Sequence, residues 1–283
     1  MYWYLFPVAI FVASIANGAG IGGATFFSPL FVIGLGLAPQ VAIGTALITE
    51  VFGFTSGVWA HARARAIDWR MARMLMLASV PLAVAGSLVA GYIAESLLKG
   101  ILGVGLLVIA AAFVRHRADH DESDKAIARG EGVVEPSVAR KIVTSDGATY
   151  EYALCRTSEG RAFAGLGGLL VGLISTGLGE LNSYSLIKRC RVPSRVSVAT
   201  SVAVVAVTAL AASAAHLLDF ISTGGDSLTT VMSIAMFTVP GVIIGGQIGP
   251  QIARRVPEVR LVRSLGWLFL AIGIITIVEA LSG

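Results

Sequence analysis

Long apolar runs separated by short polar segments make up most of the chain, and their lengths predict membrane-spanning helices. A helix needs about 20 apolar residues to cross the ~30 Å hydrocarbon core of a bilayer. This pattern of six uninterrupted runs near or above that length predicts an all-α polytopic membrane protein. The runs cover about residues 39–60, 74–94, 100–114, 196–218, 228–253 and 264–281.

Two further apolar runs are interrupted by glycine-rich, polar stretches. The first is broken at residues 17–29 and the second at residues 175–184. Glycine leaves backbone N–H groups free to face a ligand. Non-helical backbone at membrane depth is tolerated only where protein or a water-filled cavity surrounds it. Two broken segments at matching places in two halves predict a transporter site between repeats.

The two halves of the chain repeat several landmarks in the same order. His61 in the first half corresponds to His216 in the second, an offset of 155 residues. Both histidines are predicted to lie at helix ends near the membrane interface. The other matches pair residues 44–46 with 199–201, and Pro81 and Gly86 with Pro240 and Gly245.

The basic residues predict which segments share one side of the membrane. Residues 61–73, 115–161, 188–195 and 254–263 contain 20 of the 21 lysines and arginines. If each broken segment is a re-entrant hairpin, all four basic segments face the cytosol, as the positive-inside rule requires. If each broken segment crosses once, two of them face out. Each half is therefore predicted to hold one re-entrant hairpin and three transmembrane helices. Because three is odd, the second half is inverted.

This topology divides the chain into three predicted parts: a first membrane repeat at residues 1–114, a cytosolic insert at 115–160 and a second, inverted membrane repeat at 161–283. The insert begins with a charged stretch at residues 116–124, which is predicted to be disordered. Its later part is predicted to form a small β-hairpin around Asp146-Gly147, a favoured type I′ turn pair. An isolated hairpin is marginal in water. We expect it to lean on the membrane domain or on a second copy, which leaves a homodimer open.

Composition narrows the classes of function. The chain is 55% hydrophobic and 13% charged, with a mean hydropathy of +0.82, whereas soluble domains carry about 25% charged residues. Membrane lipid is therefore an expected partner. The net charge of +4 comes from loops and does not indicate nucleic acid. No serine lies in a clear nucleophile motif and the predicted inverted repeat argues for transport, so the protein is expected not to be an enzyme. No ATP-binding motif occurs, so the energy for transport is expected from ion or substrate gradients or from a partner. Cys155 and Cys190 lie in predicted cytosolic segments, where disulfides are rare.

The residues around the first break resemble a known family. Residues 17–23 followed by Pro29, residues 42–46, residues 57–61 and residues 67–69 are similar to the TauE/SafE sulfite exporters, which overlap the 4-toluene sulfonate uptake permeases. The resemblance implies a carrier of the bacterial inner membrane for sulfite, sulfoacetate, other organosulfonates or related small anions. The second half departs from the family pattern, because Glu180 lies where another glycine-rich turn is expected.

The chemistry indicated is anion binding without a cofactor or a metal ion. A helix that begins inside the membrane presents unpaired N–H groups and a positive dipole end. Small residues also allow close helix packing, but clustered glycines favour a binding site. Further side-chain donors are Thr25, Ser28, Thr49 and Ser183. The candidate substrate-binding residues are Asn17, Gly18, Gly20, Gly22, Gly23, Thr45, Ser175, Thr176, Gly177, Gly179, Asn182, Thr200 and Ser201.

Two acidic residues lie within the predicted broken or spanning segments, Glu50 and Glu180. A carboxylate inside a membrane span is costly and indicates function by default. Burial opposes the charge of Glu180, while a helix N-terminus stabilises it. Such a group could bind a proton or a sodium ion, so both residues are candidate coupling residues. The structural alternative is a helix cap or a fixed partner for an arginine.

Three classes of function remain open from the sequence. The first is a secondary carrier for a small sulfur-containing anion, which the predicted inverted repeat favours. The second is a channel for anions or another small solute, which would need no coupling carboxylate. The third is an intramembrane enzyme or a signalling scaffold that uses the cytosolic hairpin.

The re-entrant topology predicts which side of the membrane reaches residue 194. In a variant with Cys155 and Cys190 replaced, Ser194→Cys should react with an impermeant thiol reagent only from the cytosolic side. Ser227→Cys, in the loop without basic residues, is the matched control and should react from outside. Labelling of Ser194→Cys from the periplasm would contradict the re-entrant reading.

Overall fold

The computed structural model describes residues 2–115, 139–153, 157–223, 226–253 and 258–282. The chain is mostly helical, with one two-stranded sheet among these residues. The first half contains α1 (Leu5–Ala19), α2 (Ala24–Pro29), a π-helical segment (Leu30–Gly34), α3 (Pro39–Arg63), α4 (Trp69–Ala90) and α5 (Glu95–Arg115). After β1 (Ala139–Val143) and β2 (Thr149–Ala153) come α6 (Thr157–Ile174), α7 (Leu178–Ser183), a second π-helical segment (Tyr184–Arg189), α8 (Ser194–Thr223), α9 (Asp226–Ala253) and α10 (Glu258–Ser282).

Four helices in the described ranges are long and apolar enough to cross a membrane. They lie at Pro39–Arg63, Trp69–Ala90, Ser194–Leu218 and Leu228–Gly249. Both apolar runs that the sequence shows as interrupted are broken helices. The first break separates α1 from α2, and the second separates α6 from α7. The coarse prediction of a polytopic helical protein is confirmed, whereas the predicted charged stretch at residues 116–124 lies outside the described residues.

Glycines on one face of α9 bring its backbone against α1. A Cβ on Gly241 would lie 2.6 Å from the Phe6 carbonyl oxygen, and one on Gly245 would lie 2.5 Å from that of Ile10. Gly249 continues the same spacing of four residues and packs on α1 near Ser14. Since small residues at this spacing let two helix backbones touch, α1 and α9 pack side by side. Gly168 and Gly172 of α6 approach the backbone of α4 in the same way.

The two histidines make equivalent contacts in the two halves. His61 Nε2 lies 3.5 Å from the Asn17 carbonyl oxygen, and His216 Nε2 lies 3.1 Å from the Gly172 carbonyl oxygen. In each contact the histidine and its partner are 44 residues apart in sequence. His216 follows His61 by 155 residues, and Gly172 follows Asn17 by the same number. Both side chains are buried. The expected position at a helix end is correct for His61, in the last turn of α3, and wrong for His216, because α8 continues past it to Thr223.

The predicted β-hairpin is present, but its turn differs from the predicted type. Arg140 pairs with Tyr152 and Ile142 with Tyr150 in an antiparallel ladder. Gly147 N donates to the Thr144 carbonyl at 2.9 Å, Thr144 N donates to the Ala148 carbonyl at 3.0 Å, and Gly147 has a φ of 83°. This is a three-residue loop built on a type I turn with a glycine bulge. A type I′ turn would also need a positive φ at Asp146, which the backbone does not adopt.

The hairpin docks on the membrane helices at the loop between α3 and α4 and at the start of α8. Tyr152 Oη donates to Asp68 Oδ2 at 2.7 Å, with both residues buried. Ser145 N donates to the Ala64 carbonyl at 3.0 Å, and Arg195 pairs with Asp146 at 2.7 Å. The expectation that the hairpin leans on the membrane domain is therefore confirmed within one chain.

Asp68 connects the hairpin to both halves of the chain. Its Oδ1 accepts from the N–H groups of Arg70 and Met71 and so caps α4, a favoured role for aspartate. Its own N–H donates to Thr200 Oγ1 on α8 at 3.1 Å. Burial and the hydrogen bond to Asp68 raise the pKa of Tyr152 well above its usual value, so this tyrosine remains a neutral donor at physiological pH.

Cys190 lies between the second π-helical segment and α8. It is disulfide-bonded, so the expectation of a free thiol is wrong for this residue. That expectation relied on the redox state of the cytosol. The redox state of a compartment says nothing about how close two cysteine side chains lie in the fold.

Tyr152→Phe tests the docking contact. It keeps the ring but removes the donor to a buried carboxylate, and a buried hydrogen bond to a charged group contributes about 1–3 kcal/mol. We expect a lower melting temperature for the purified protein by thermal shift. Tyr92→Phe, at a side chain that is 92% exposed, is the control and should melt like the wild type. Equal melting of all three proteins would show that the contact does not stabilise the fold.

Candidate functional site

The first helix break is closed by a carboxylate from α3. α1 ends at Gly20, whose φ of 68° favours glycine, and Ile21 N donates back to the Ala16 carbonyl at 3.1 Å. α2 then begins at Ala24, whose N–H donates to Glu50 Oε1 at 3.1 Å. A Cβ on Gly22 would lie 3.2 Å from the same Glu50 oxygen. The glycines of this break therefore make room for Glu50.

The second break is closed by a residue of its own helix. Ser175 and Gly177 have φ angles of 57° and 107°, which end α6 and turn the chain. Gly177 N donates to Glu180 Oε2 at 3.1 Å, so Glu180 caps the start of α7. The helix-cap alternative for Glu180 is therefore present in the structure, and its other oxygen stays available for contacts with the first half.

The two breaks are in direct contact, as the sequence-based site hypothesis expects. A Cβ on Gly179 would lie 2.7 Å from Gly22 N and 2.8 Å from the Gly20 carbonyl oxygen. Thr25 Oγ1 lies 2.7 Å from Thr176 Oγ1 and donates to Glu180 Oε1 at 3.0 Å. The hydroxyls of Ser28 and Ser175 also form a hydrogen bond. This contact of the two breaks is called the tip junction below.

The tip junction contains two carboxyl groups and no basic partner for either within the described parts of the chain. Glu50 is 2% exposed, and its Oε2 has no hydrogen-bond partner in the protein. Glu180 accepts from Thr25 Oγ1 and from Gly177 N. Two like charges close together in a low-dielectric setting are costly. The pair is therefore chemically suited to hold a proton or a monovalent cation.

The other predicted site residues divide between the tip junction and other contacts. Ser201 Oγ donates to the Gly20 carbonyl at 3.4 Å, so it reaches the first break. Thr45 donates to the Val41 carbonyl of its own helix, and Thr200 accepts from Asp68 N. Asn17 Nδ2 donates to the Ala13 carbonyl, but its Oδ1 has no partner. Gly18 packs against α9, Gly23 lies beside Phe54, and Asn182 is buried on α7.

Sequence reasoning missed two buried serines near the second break, Ser185 and Ser197. Seven buried side-chain nitrogen and oxygen atoms in the described chain lack a hydrogen-bond partner in the protein. Five of them belong to Asn182, Ser183, Ser185 and Ser197. A serine in an apolar helix usually bonds to its own backbone, so the sequence carries no signal that separates these two. Only their burial and missing partners do.

Comparison with known proteins assigns the chain to a family. Residues 5–276 match the family model described as sulfite exporter TauE/SafE. The chain belongs to the sulfite exporter TauE/SafE family. The predicted resemblance is thus confirmed over nearly the whole chain.

Two relatives of this TauE/SafE protein come from Bacillus subtilis (strain 168). One, named probable membrane transporter protein YunE, is 23% identical over 284 residues, which cover 98% of this chain and 97% of the relative. The other, named probable membrane transporter protein YjnA, is 25% identical over 257 residues, covering 88% and 90%. No solved structure gives a significant match. The protein is a multi-pass membrane protein of a transporter family, and the names of its relatives agree with the expectation that it is not an enzyme.

Gly179→Ala tests the contact between the two breaks. A methyl group there meets the backbone at Gly22 N and the Gly20 carbonyl oxygen, which side-chain rotation cannot relieve. We expect a lower melting temperature and loss of the monodisperse peak in size-exclusion chromatography. Gly100→Ala in α5 has open space around the added methyl and should be neutral or slightly stabilising. If both variants behave like the wild type, the tips are not packed as described.

Proposed function

We propose that this TauE/SafE protein is a secondary transporter that moves a small sulfur-containing anion across the bacterial inner membrane. Sulfite, sulfoacetate and other organosulfonates are the candidate substrates. The family membership supports transport, and the family description supports this chemical class. The observation that carries the proposal is the tip junction, where two broken helices meet beside an uncompensated pair of carboxyl groups.

The architecture that we propose for transport is a pair of inverted repeats, each with a re-entrant hairpin and three membrane helices. The matching histidine contacts, 155 residues apart, support the repeat. Two matched interfaces, α1 with α9 and α6 with α4, support it further. The hairpin bonds to both the 64–68 loop and Arg195, which supports a common side of the membrane for these basic segments. Re-entrant hairpins give that result, and single crossings do not.

In the proposed mechanism the anion lies beside the tip junction and the coupling ion lies on Glu50 and Glu180. An anion near two carboxylates is repelled, and this repulsion is strong in a low dielectric. A proton or sodium ion on the pair removes part of the negative charge. The anion and the cation therefore bind together, which couples their movement in the same direction. The N–H groups of Ala24 and Gly177 donate to these carboxyl groups and hold them in place. They therefore also fix the position of the bound cation.

Glu180→Gln separates coupling from binding. The amide keeps the shape of the carboxyl and still accepts from Gly177 N, but it cannot take up a proton. In proteoliposomes we expect labelled sulfoacetate or sulfite to exchange by counterflow, while accumulation driven by a proton or sodium gradient is lost. Glu95→Gln, at an exposed position on α5, is the matched control and should keep gradient-driven uptake.

Two results would contradict these statements separately. Unchanged gradient-driven uptake in Glu180→Gln would remove that carboxyl from coupling but leave transport intact. Wild-type protein that shows no saturable counterflow with any of these anions would contradict the proposed function itself.

A further inference from the structure

The buried polar atoms without partners are concentrated in one seam of the molecule. The seam is formed by α7 with its π-helical extension on one side and the first turns of α8 on the other, and these elements pack together. Asn182, Ser185 and Ser197 are 1%, 2% and 0% exposed. Both amide atoms of Asn182 and the hydroxyls of the two serines lack a protein partner, as does the Ser183 hydroxyl. Buried polar groups in folded proteins are almost always hydrogen-bonded, so the seam calls for a partner from outside the chain.

The seam begins at the tip junction. The Gly20 carbonyl oxygen lies 2.8 Å from a Cβ placed on Gly179, and it accepts from Ser201 Oγ at 3.4 Å. Asn182 follows Gly179 by three residues, and Ser197 precedes Ser201 by four. Each is therefore about one helical turn from a residue that touches the same oxygen. The unpartnered groups flank the first break from two sides.

The first half of the chain lacks this feature at the equivalent positions. With the offset of 155, Asn182 corresponds to Phe27, Ser185 to Leu30 and Ser197 to Ala42. Phe27 is buried and stacks on Phe31, and Ala42 is buried. The one polar equivalent, Ser28 for Ser183, is bonded to Ser175. If the shared fold required buried polar groups at these positions, both halves would have them. Because only the second half does, folding alone does not explain these groups.

We propose that this seam holds the oxyanion head of the transported substrate, with Asn182, Ser183, Ser185 and Ser197 as its hydrogen-bond donors. The inference rests on the proposed function and names the protein groups that recognise the anion. An amide NH2 and three hydroxyls supply up to five donors for the oxygens of a sulfonate or sulfite group. Neutral donors bind an anion without a fixed cation, which allows the anion to leave again. The segment 188–195 connects the two sides of the seam in sequence, and its four basic residues favour an anion there.

The seam and the carboxyl pair have separate tasks in this arrangement. The unpartnered donors of the seam are neutral, whereas the two carboxyl groups bond elsewhere. Glu50 accepts from Ala24 N, and Glu180, on the same helix as Asn182, accepts from Thr25 and Gly177. The anion and the coupling ion are therefore neighbours that share the tip junction. Hydrogen-bond donors without a partner occur in the seam of the second half and not at the equivalent positions of the first half.

Asn182→Leu is the sharpest test because it should affect the stability of the ligand-free protein and the binding of the anion in opposite directions. Leucine has a similar volume and removes two buried atoms without partners, so the ligand-free protein should be as stable as the wild type or melt higher. If the seam binds the anion, the melting-temperature increase produced by millimolar sulfite or sulfoacetate is lost. In proteoliposomes the KM for the same anion should rise at least about tenfold, since a lost hydrogen bond to a charged group has that effect.

Ser197→Ala is a second, smaller change in case Asn182→Leu does not fold, and it should also weaken the response to sulfite and sulfoacetate. Ser213→Ala is the matched control, because Ser213 lies on the same helix and its hydroxyl already donates to the Leu210 carbonyl. The control should keep the wild-type KM and thermal response. Taurine and sulfate serve as comparison anions.

Each outcome decides the matter. Loss of the anion response in Asn182→Leu and Ser197→Ala, with the Ser213→Ala response intact, supports the seam. A wild-type response in both seam variants, with higher melting in Asn182→Leu, overturns the seam while leaving anion transport in place. A wild-type protein that responds to none of the anions in either assay overturns both the seam and the proposed function.

Discussion

A peptide group that leaves a helix within hydrocarbon must be satisfied by the protein itself, since water is absent there. This constraint explains most of what surrounds the two breaks. Glu50 accepts from the first N–H of α2, and Glu180 accepts from the N–H before α7. The caps require carboxylates at depth, glycines that leave room for them, and a packing of the two tips that excludes lipid. The carboxyl pair is thus a structural cap, and in the proposed mechanism it also holds the coupling ion.

The dual role of these caps changes how the glycine-rich breaks should be understood. Clustered glycines at a helix start usually indicate open N–H groups that await an anion. Here the two N–H groups that open the helices already have carboxyl partners, so the junction attracts positive charge. In the proposed arrangement, neutral amide and hydroxyl groups beside the junction donate to the anion without adding charge of their own. A carrier with this division can bind two ions of opposite sign at neighbouring places.

The sequence predicts the parts of this structure that depend on local chemistry. Both helix breaks follow from glycine and from small polar residues inside apolar runs, and the β-hairpin follows from its strand pattern. The cap by Glu180 is also local, three residues after Gly177. The cap by Glu50 is not, because it joins residues 26 apart in sequence through the packing of α3 on α2. Asp-Gly occurs in more than one turn type, so the hairpin turn could not be assigned from that pair alone.

Other features depend on tertiary packing and escape the sequence for that reason. Nothing in the spacing of Ser185 or Ser197 distinguishes them from serines that bond to their own helix, and only the folded chain shows which hydroxyls lack a partner. His216 is buried within α8, which extends beyond it to Thr223. The polar residues near Asp219 make this helix end hard to locate from the sequence. The hairpin was expected to lean on the membrane domain or on a second copy, but the sequence does not show that Asp68 joins its Tyr152 to the start of α4 and to α8.

The glycine contacts between α1 and α9 have a mechanical consequence. Where backbone touches backbone at every fourth residue, sliding one helix along the other moves the glycine out of the contact and brings a side chain against a carbonyl oxygen. Such an interface has one favoured register. A steep energy barrier opposes sliding of the two helices away from it, so small displacements along the helix axis are not available. We therefore expect the α1–α9 pair and the α4–α6 pair each to behave as a rigid unit. Any cycle that opens the tips to one side of the membrane and then to the other tilts these pairs as units.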